Sequence, residues 1–158
     1  MTISPEIKLL QEKKLVGIRL EMSLVNDRTF ELWSKFRPRL DEIEGRVTGD
    51  FISLQSYGPN YFSTFDPQAL FTKWALVEVD RYGIIPEGMQ SFDLKGGRYA
   101  VFHYRGSSAD KSIFQYIFTE WLPSSGFQLD DRPHFEVLGS RYKNNDPNSE
   151  EDIWIPIQ

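Results

Sequence analysis

Glu136 stands in the middle of a short, otherwise apolar run, His134-Phe135-Glu136-Val137-Leu138. In a strand it shares a face with His134 and Leu138. That face is either open to solvent or turned into a cleft. A carboxylate turned inward is costly unless it is paired or hydrogen-bonded, and a cationic or polar ligand would then supply the partner. The same group could act as a general base toward water, but the flanking sequence offers only weak support for that chemistry. Glu78 is the second carboxylate of this kind. It alternates with Trp74, Leu76 and Asp80 on one face of a strand, opposite Ala75, Val77 and Val79, and is rim, solvated edge or pocket wall.

Aromatic residues make up 15% of the 158 residues, with twelve Phe, seven Tyr and four Trp. At that density some can line a pocket as well as fill a core. Trp33 lies on a helical stripe with Phe30, Phe36 and Leu40, and either packs on a sheet or borders a cleft. The connection from Gly58 to Thr72 carries Tyr61, Phe62, Phe65 and Phe71. Loops of that length are often functional, and these aromatics either close over a pocket or pin the loop down. A second helical stretch carries Ile113, Phe114, Tyr116, Ile117, Phe118 and Trp121, apolar on more than one face, so part of it should border something other than its sheet.

Other chemistries are poorly supported. The two histidines, His103 and His134, have no cysteine partners, so a structural zinc set is missing and no metal or cofactor is expected. No HExxH, GxSxG or EF-hand pattern occurs, and Gly96-Gly97 lacks the ending of a phosphate loop. Nothing favours a serine–histidine–acid triad, and no catalytic residue is assigned. The formal charge of −5 argues against a nucleic-acid surface. There is no helix-turn-helix pattern, and basic residues do not alternate with aromatics as on an RNA platform. The absence of cysteine excludes disulfides and thiol nucleophiles. The start of the chain has no signal-peptide run and no window is long and apolar enough to span a bilayer. The expectation is a cytoplasmic protein without membrane contact.

These residues need elements to hold them, and the elements repeat. A strand over Leu15–Met22, a helix over Thr29–Ile43 (kinked or ended near Arg37 by Pro38) and strands over Phe51–Tyr57 and Trp74–Val79 form one unit. A strand over Arg98–Tyr104, a helix from about Ala109 to Leu122 and strands over His134–Leu138 and Asp152–Ile157 form another. Residues 1–13 read as a polar lead-in. The expectation is one domain over residues 1–158, with pseudo-repeats at about 14–80 and 96–157 and a cleft between them.

Several stretches carry a family likeness: Lys13 to Ile18, Phe71 to Ala75 with Val77-Glu78-Val79, Pro86 to Met89, Gly96 to Phe102, Asp131 to Glu136, and Asp152 to Ile157. Together they resemble the GyrI-like small-molecule-binding domain, which also serves as the effector-binding part of AraC- and MerR-type regulators. The likeness runs through nearly the whole chain. It implies an α+β fold: duplicated β-α-β-β units in an antiparallel sheet, helices on one face, and a central ligand cleft. It implies binding of amphipathic, often cationic aromatic molecules between aromatic walls, with a buried glutamate as counter-charge. Glu136 is the first candidate for that glutamate and Glu78 the second. Trp33, Tyr99, Tyr104, Trp121, Trp154 and Phe62 are the candidate walls, although not all of them can face one cleft. Some members hydrolyse reactive xenobiotic compounds, and others inhibit DNA gyrase through protein contact, so a glutamate-based hydrolase and a protein-interaction module are the alternatives. The expected partner is a small amphipathic ligand. Direct nucleic-acid contact is not expected, and any role in transcription would need a protein partner to supply it.

Overall fold

The computed structural model describes residues 3–158, which form one eight-stranded antiparallel sheet with its helices on one face. The strands are β1 (Glu6–Leu10), β2 (Lys13–Met22), β3 (Phe51–Ser56), β4 (Phe71–Val79), β5 (Gln90–Leu94), β6 (Gly97–Arg105), β7 (His134–Leu138) and β8 (Glu150–Pro156). Their order is β1-β6-β8-β7-β3-β4-β2-β5. Exchanging each of β1–β4 for its counterpart in β5–β8 reverses this order onto itself, so the sheet has a twofold pattern centred on the β3–β7 pair.

The repeating unit is one strand longer than the expected β-α-β-β. The residues read as a lead-in include β1, and β5 lies in the stretch between the two expected units, just before Gly96. Each of these strands pairs with the other half, β1 with β6 and β5 with β2. Both are edge strands. In β1 only Leu10 is buried and Ile7 and Leu9 are exposed, so the strand lacks a period-two apolar signature.

Alternation sorts the remaining strand residues cleanly between two faces. On the face without helices, Leu15, Ile52, Leu54, Trp74, Leu76, Tyr99, Val101 and Phe135 form one buried cluster with Leu10 of β1 and Leu94 of β5. Residues from both sheet edges meet in that cluster because the sheet curls on itself. Gly17 marks its tightest backbone approach, where a Cβ would come 1.8 Å from the Ala75 carbonyl oxygen.

The other face carries one helix per half. α1 (Thr29–Phe36) buries Leu32 and Phe36 against Val16, Ala75 and Val77. As Pro38 dictates, the α-helix ends there and continues as a 3₁₀ turn over Arg37–Glu42. Phe30 departs from the expected buried stripe and is 84% exposed. In the second half, α2 (Ser112–Tyr116) runs through a π-helical turn (Ile117–Trp121) into α3 (Leu122–Ser125), and Gly126 at φ 79° stops it. Ile113 and Ile117 pack on Ala100, Phe102, Ile153 and Ile155. Each helix covers its own half, so the central strands between them stay open.

Candidate functional site

Above those central strands lies a cleft of about 890 Å³, within the size range of small-molecule pockets. Its floor is made by side chains pointing to the helix-bearing face: Ser53 of β3, Lys73 of β4, Tyr104 of β6, Glu136 and Leu138 of β7, and Glu151 of β8. One wall comes from α1 and the start of its 3₁₀ turn, with Thr29, Trp33 and Arg37. The other is Ser108 to Lys111 and Phe114 at the start of α2. The loop carrying Tyr142, Asn144 and Asn145 closes one end. It is fastened to the opposite wall by Ser108, whose hydroxyl donates to Asn144 Oδ1 at 2.9 Å and accepts from the Asn145 amide at 2.9 Å.

Glu136 occupies the middle of the floor. Ser53 is its register partner on β3, and Gln55 Nε2 donates to Glu136 Oε2 at 3.1 Å. The carboxylate keeps a little accessible surface inside the cleft while protein crowds it elsewhere. Burial pushes its pKa up, and nearby Lys73, the Gln55 hydrogen bond and Lys111 only partly oppose that push. Among the described residues Glu136 forms no salt bridge.

Lys73 is a cleft-lining charge that the sequence reading passed over. Its Nζ donates to Thr29 Oγ1 at 3.0 Å, and the Thr29 hydroxyl in turn donates to Asp27 Oδ1 at 2.5 Å. Burial lowers its pKa, with Glu136 pulling the other way. Glu150, Glu151 and Asp152 follow one another in sequence, as an acidic run on a solvated face would. Alternation along β8 separates the three acids instead. Glu151 turns into the cleft, where burial and then Glu136 push it up to about 7, while Glu150 and Asp152 grip His103 on the other face at 2.8 and 2.7 Å.

The candidate residues divide by geometry. Glu136, Trp33 and Tyr104 line the cleft together. Trp33 does both things open to it, packing edge-on against Phe36 and Phe51 while bordering the opening. Tyr99 and Trp154 lie on the opposite face, packed with Phe135, because odd positions of β6 and even positions of β8 point away from the helices. Glu78 is also on that face, in a salt bridge with Lys13 at 3.2 Å, so it does not meet the cleft. Trp121, at the end of the π-helical turn, packs edge-on to Phe102 and alongside Phe127. Phe62 stacks on His134 and Phe118 and, with Tyr57 and Tyr61, pins the long loop to the domain.

His134 is enclosed by this aromatic cluster, and burial drops its pKa to about 3. A small cavity of about 20 Å³, touched by Gln55, Phe118, His134 and Glu136, shares Glu136 and Phe114 with the lining of the cleft. Among the described residues no group of histidines and carboxylates is arranged to hold a metal ion, and no helix is long and apolar enough to cross a membrane.

A twofold-patterned sheet that holds an aromatic-walled cleft over a buried carboxylate defines a small-molecule-binding module. The chain belongs to the family of the GyrI-like small molecule binding domain, whose match spans residues 3–158. It is 32% identical over 145 residues to the transcriptional regulator BrlR of Pseudomonas aeruginosa, a match covering 90% of this chain and 51% of that protein. The chain therefore spans about half the length of this curated relative. In fold it is similar to the EcmrR C-terminal domain, with a TM-score of 0.73 at 12% identity, over 100% of this chain and 99% of that one. It is also similar to SAV2435 bound to tetraphenylphosphonium, with a TM-score of 0.69 at 16% identity, over 99% and 94% of the two chains.

Proposed function

We propose that the chain binds small amphipathic molecules, cationic aromatic compounds among them, in the cleft between α1 and α2. Glu136 meets the positive charge, and Trp33, Tyr104, Phe114 and Tyr142 supply apolar and aromatic walls. The observation that carries this reading is a carboxylate at the floor of a roomy cleft with a neutral amide as its hydrogen-bond partner. A buried charge left in that state is costly, and a ligand cation removes the cost. The fold shared with a protein bound to tetraphenylphosphonium supports the ligand class, and the relationship to a transcriptional regulator supports an effector-sensing role.

A thermal-shift panel of cationic aromatic compounds on the wild type and Glu136→Gln tests the proposal. The expected result is a rise in melting temperature for some compounds that is mostly lost in the variant. No shift across a broad panel contradicts it.

A further inference from the structure

The cleft holds charges of both signs, and they are not spent on each other. Lys73 and Lys111 line it together with Glu136 and Glu151, yet among the described residues none of the four forms a salt bridge. The other charged residues at the site are otherwise engaged. Asp27 Oδ1 accepts the Thr29 amide at 2.9 Å as well as its hydroxyl. Asp110 Oδ1 accepts the Ser112 amide at 2.9 Å. The Arg37 guanidinium lies 4.5 Å from the Phe51 ring centroid and 5.6 Å from that of Trp33.

The sheet itself keeps the two signs apart. Lys73 pairs in register with Gln55 on β3, and Glu136 pairs with Ser53 on the other side of that strand. Two strand spacings, about 10 Å, therefore separate their backbones laterally. Each head group is also restrained from crossing the gap, Lys73 by Thr29 and Glu136 by Gln55. A ligand bearing only positive charge satisfies Glu136 but brings a like charge toward Lys73, where burial of the floor groups weakens screening. A ligand bearing only negative charge makes the mirror-image error.

We infer that the cleft selects zwitterionic aromatic ligands, in which one scaffold carries a delocalised cation for Glu136 and an anionic group for Lys73. This rests on the cleft being the ligand site, as proposed above, and adds the chemical class of the preferred ligand. The anion gains a charge-assisted hydrogen bond from an ammonium already oriented by Thr29. The cation gains the carboxylate and the faces of Trp33 and Tyr104.

Two xanthene dyes isolate the effect. Rhodamine 110 carries a free carboxylate and is a zwitterion, whereas rhodamine 123 is its methyl ester and a cation. Fluorescence-polarisation titrations of the full chain at neutral pH should show rhodamine 110 binding about tenfold tighter, a difference of about 1.4 kcal/mol. Lys73→Met should remove that preference while leaving rhodamine 123 bound as well as before or better, and Lys73→Arg should retain it. Equal or tighter binding of rhodamine 123 by the wild type overturns the inference and leaves the cation-binding proposal standing. Binding of tetraphenylphosphonium with neither dye bound also overturns it. Failure of all three ligands removes the cleft proposal itself.

Discussion

The side-chain amide of Gln55 donates to the Glu136 carboxylate at 3.1 Å across the β3–β7 pair, the seam where the two halves of the chain meet. A neutral donor orients the carboxylate without cancelling its charge, which is why burial still dominates and the pKa rises. The site is thus a property of the duplication. Two helices, each covering its own half, leave the central pair uncovered, and that pair carries the carboxylate.

Trp33 is the only one of the four tryptophans that lines the cleft, since Trp74 and Trp154 pack on the opposite face and Trp121 packs on Phe102 from the π-helical turn. An aromatic ligand in the cleft should therefore quench tryptophan emission mainly through Trp33. Replacing Trp33 by Phe is expected to remove most of the ligand-dependent quenching, read by fluorescence titration, with the protein still folded by circular dichroism.

Glu151 sets a pH dependence of stability. Its folded pKa of about 7 lies above the ordinary carboxylate value of 4.5, so the folded state holds this proton more tightly than the unfolded chain. Its contribution is complete below pH 4.5 and is lost as pH rises toward and through 7. Glu151→Gln, neutral at every pH, should stabilise the protein at pH 8 by about 1–2 kcal/mol, or roughly 3–6 °C in Tm. At pH 4 it should match the wild type. Melting curves at both pH values check this.

The two histidines should titrate in opposite directions. Hydrogen bonds that its ring donates to Asp152 and Glu150 raise the pKa of exposed His103 above its ordinary 6.5, whereas burial lowers His134 to about 3. An NMR titration of the imidazole protons should show one midpoint above 6.5 and a second histidine that stays neutral down to about pH 3. Replacing both Glu150 and Asp152 by their amides should bring the upper midpoint down.

Gly17→Ala should damage the fold. The new methyl would collide with the Ala75 backbone carbonyl in the β2–β4 ladder, and neither strand can yield without breaking its pairing. A loss of about 2–3 kcal/mol is expected, measurable by denaturant unfolding. The adjacent ladder position Ile18, half-buried with its side chain already accommodated, should tolerate Ile18→Val with about 1 kcal/mol of loss or less.

The strands facing a core were legible because alternation and apolar content agreed, as along β4 and β6, and Pro38 announced where α1 gives way to a 3₁₀ turn. The edge strands were not. β1 and β5 expose most of their side chains, so pairing with the opposite half, a long-range relationship, defines them. The second helix read as continuous from about Ala109, whereas α2 begins at Ser112 and passes through a π-helical turn that composition does not signal. Glu136 stood out as a charge inside an apolar run. Lys73 did not, because it fell just before the strand read over Trp74–Val79, and only the strand order brings it onto one floor with Ser53 and Glu136. Tyr99, Trp154 and Glu78 were chosen for residue type, and the strand parity that turns them away could be assigned only once the helix-bearing face was known.

Calorimetric titration with tetraphenylphosphonium, on the wild type and on Glu136→Gln at pH 7.5, tests the central claim most directly. Saturable one-site binding by the wild type, weakened at least about tenfold in the variant, is the predicted result. Because Glu136 holds its proton above the usual carboxylate range, wild-type affinity should also strengthen as pH rises and the group ionises. Equal affinity in the two proteins, or binding that ignores pH, would contradict the assignment of Glu136 as the counter-charge.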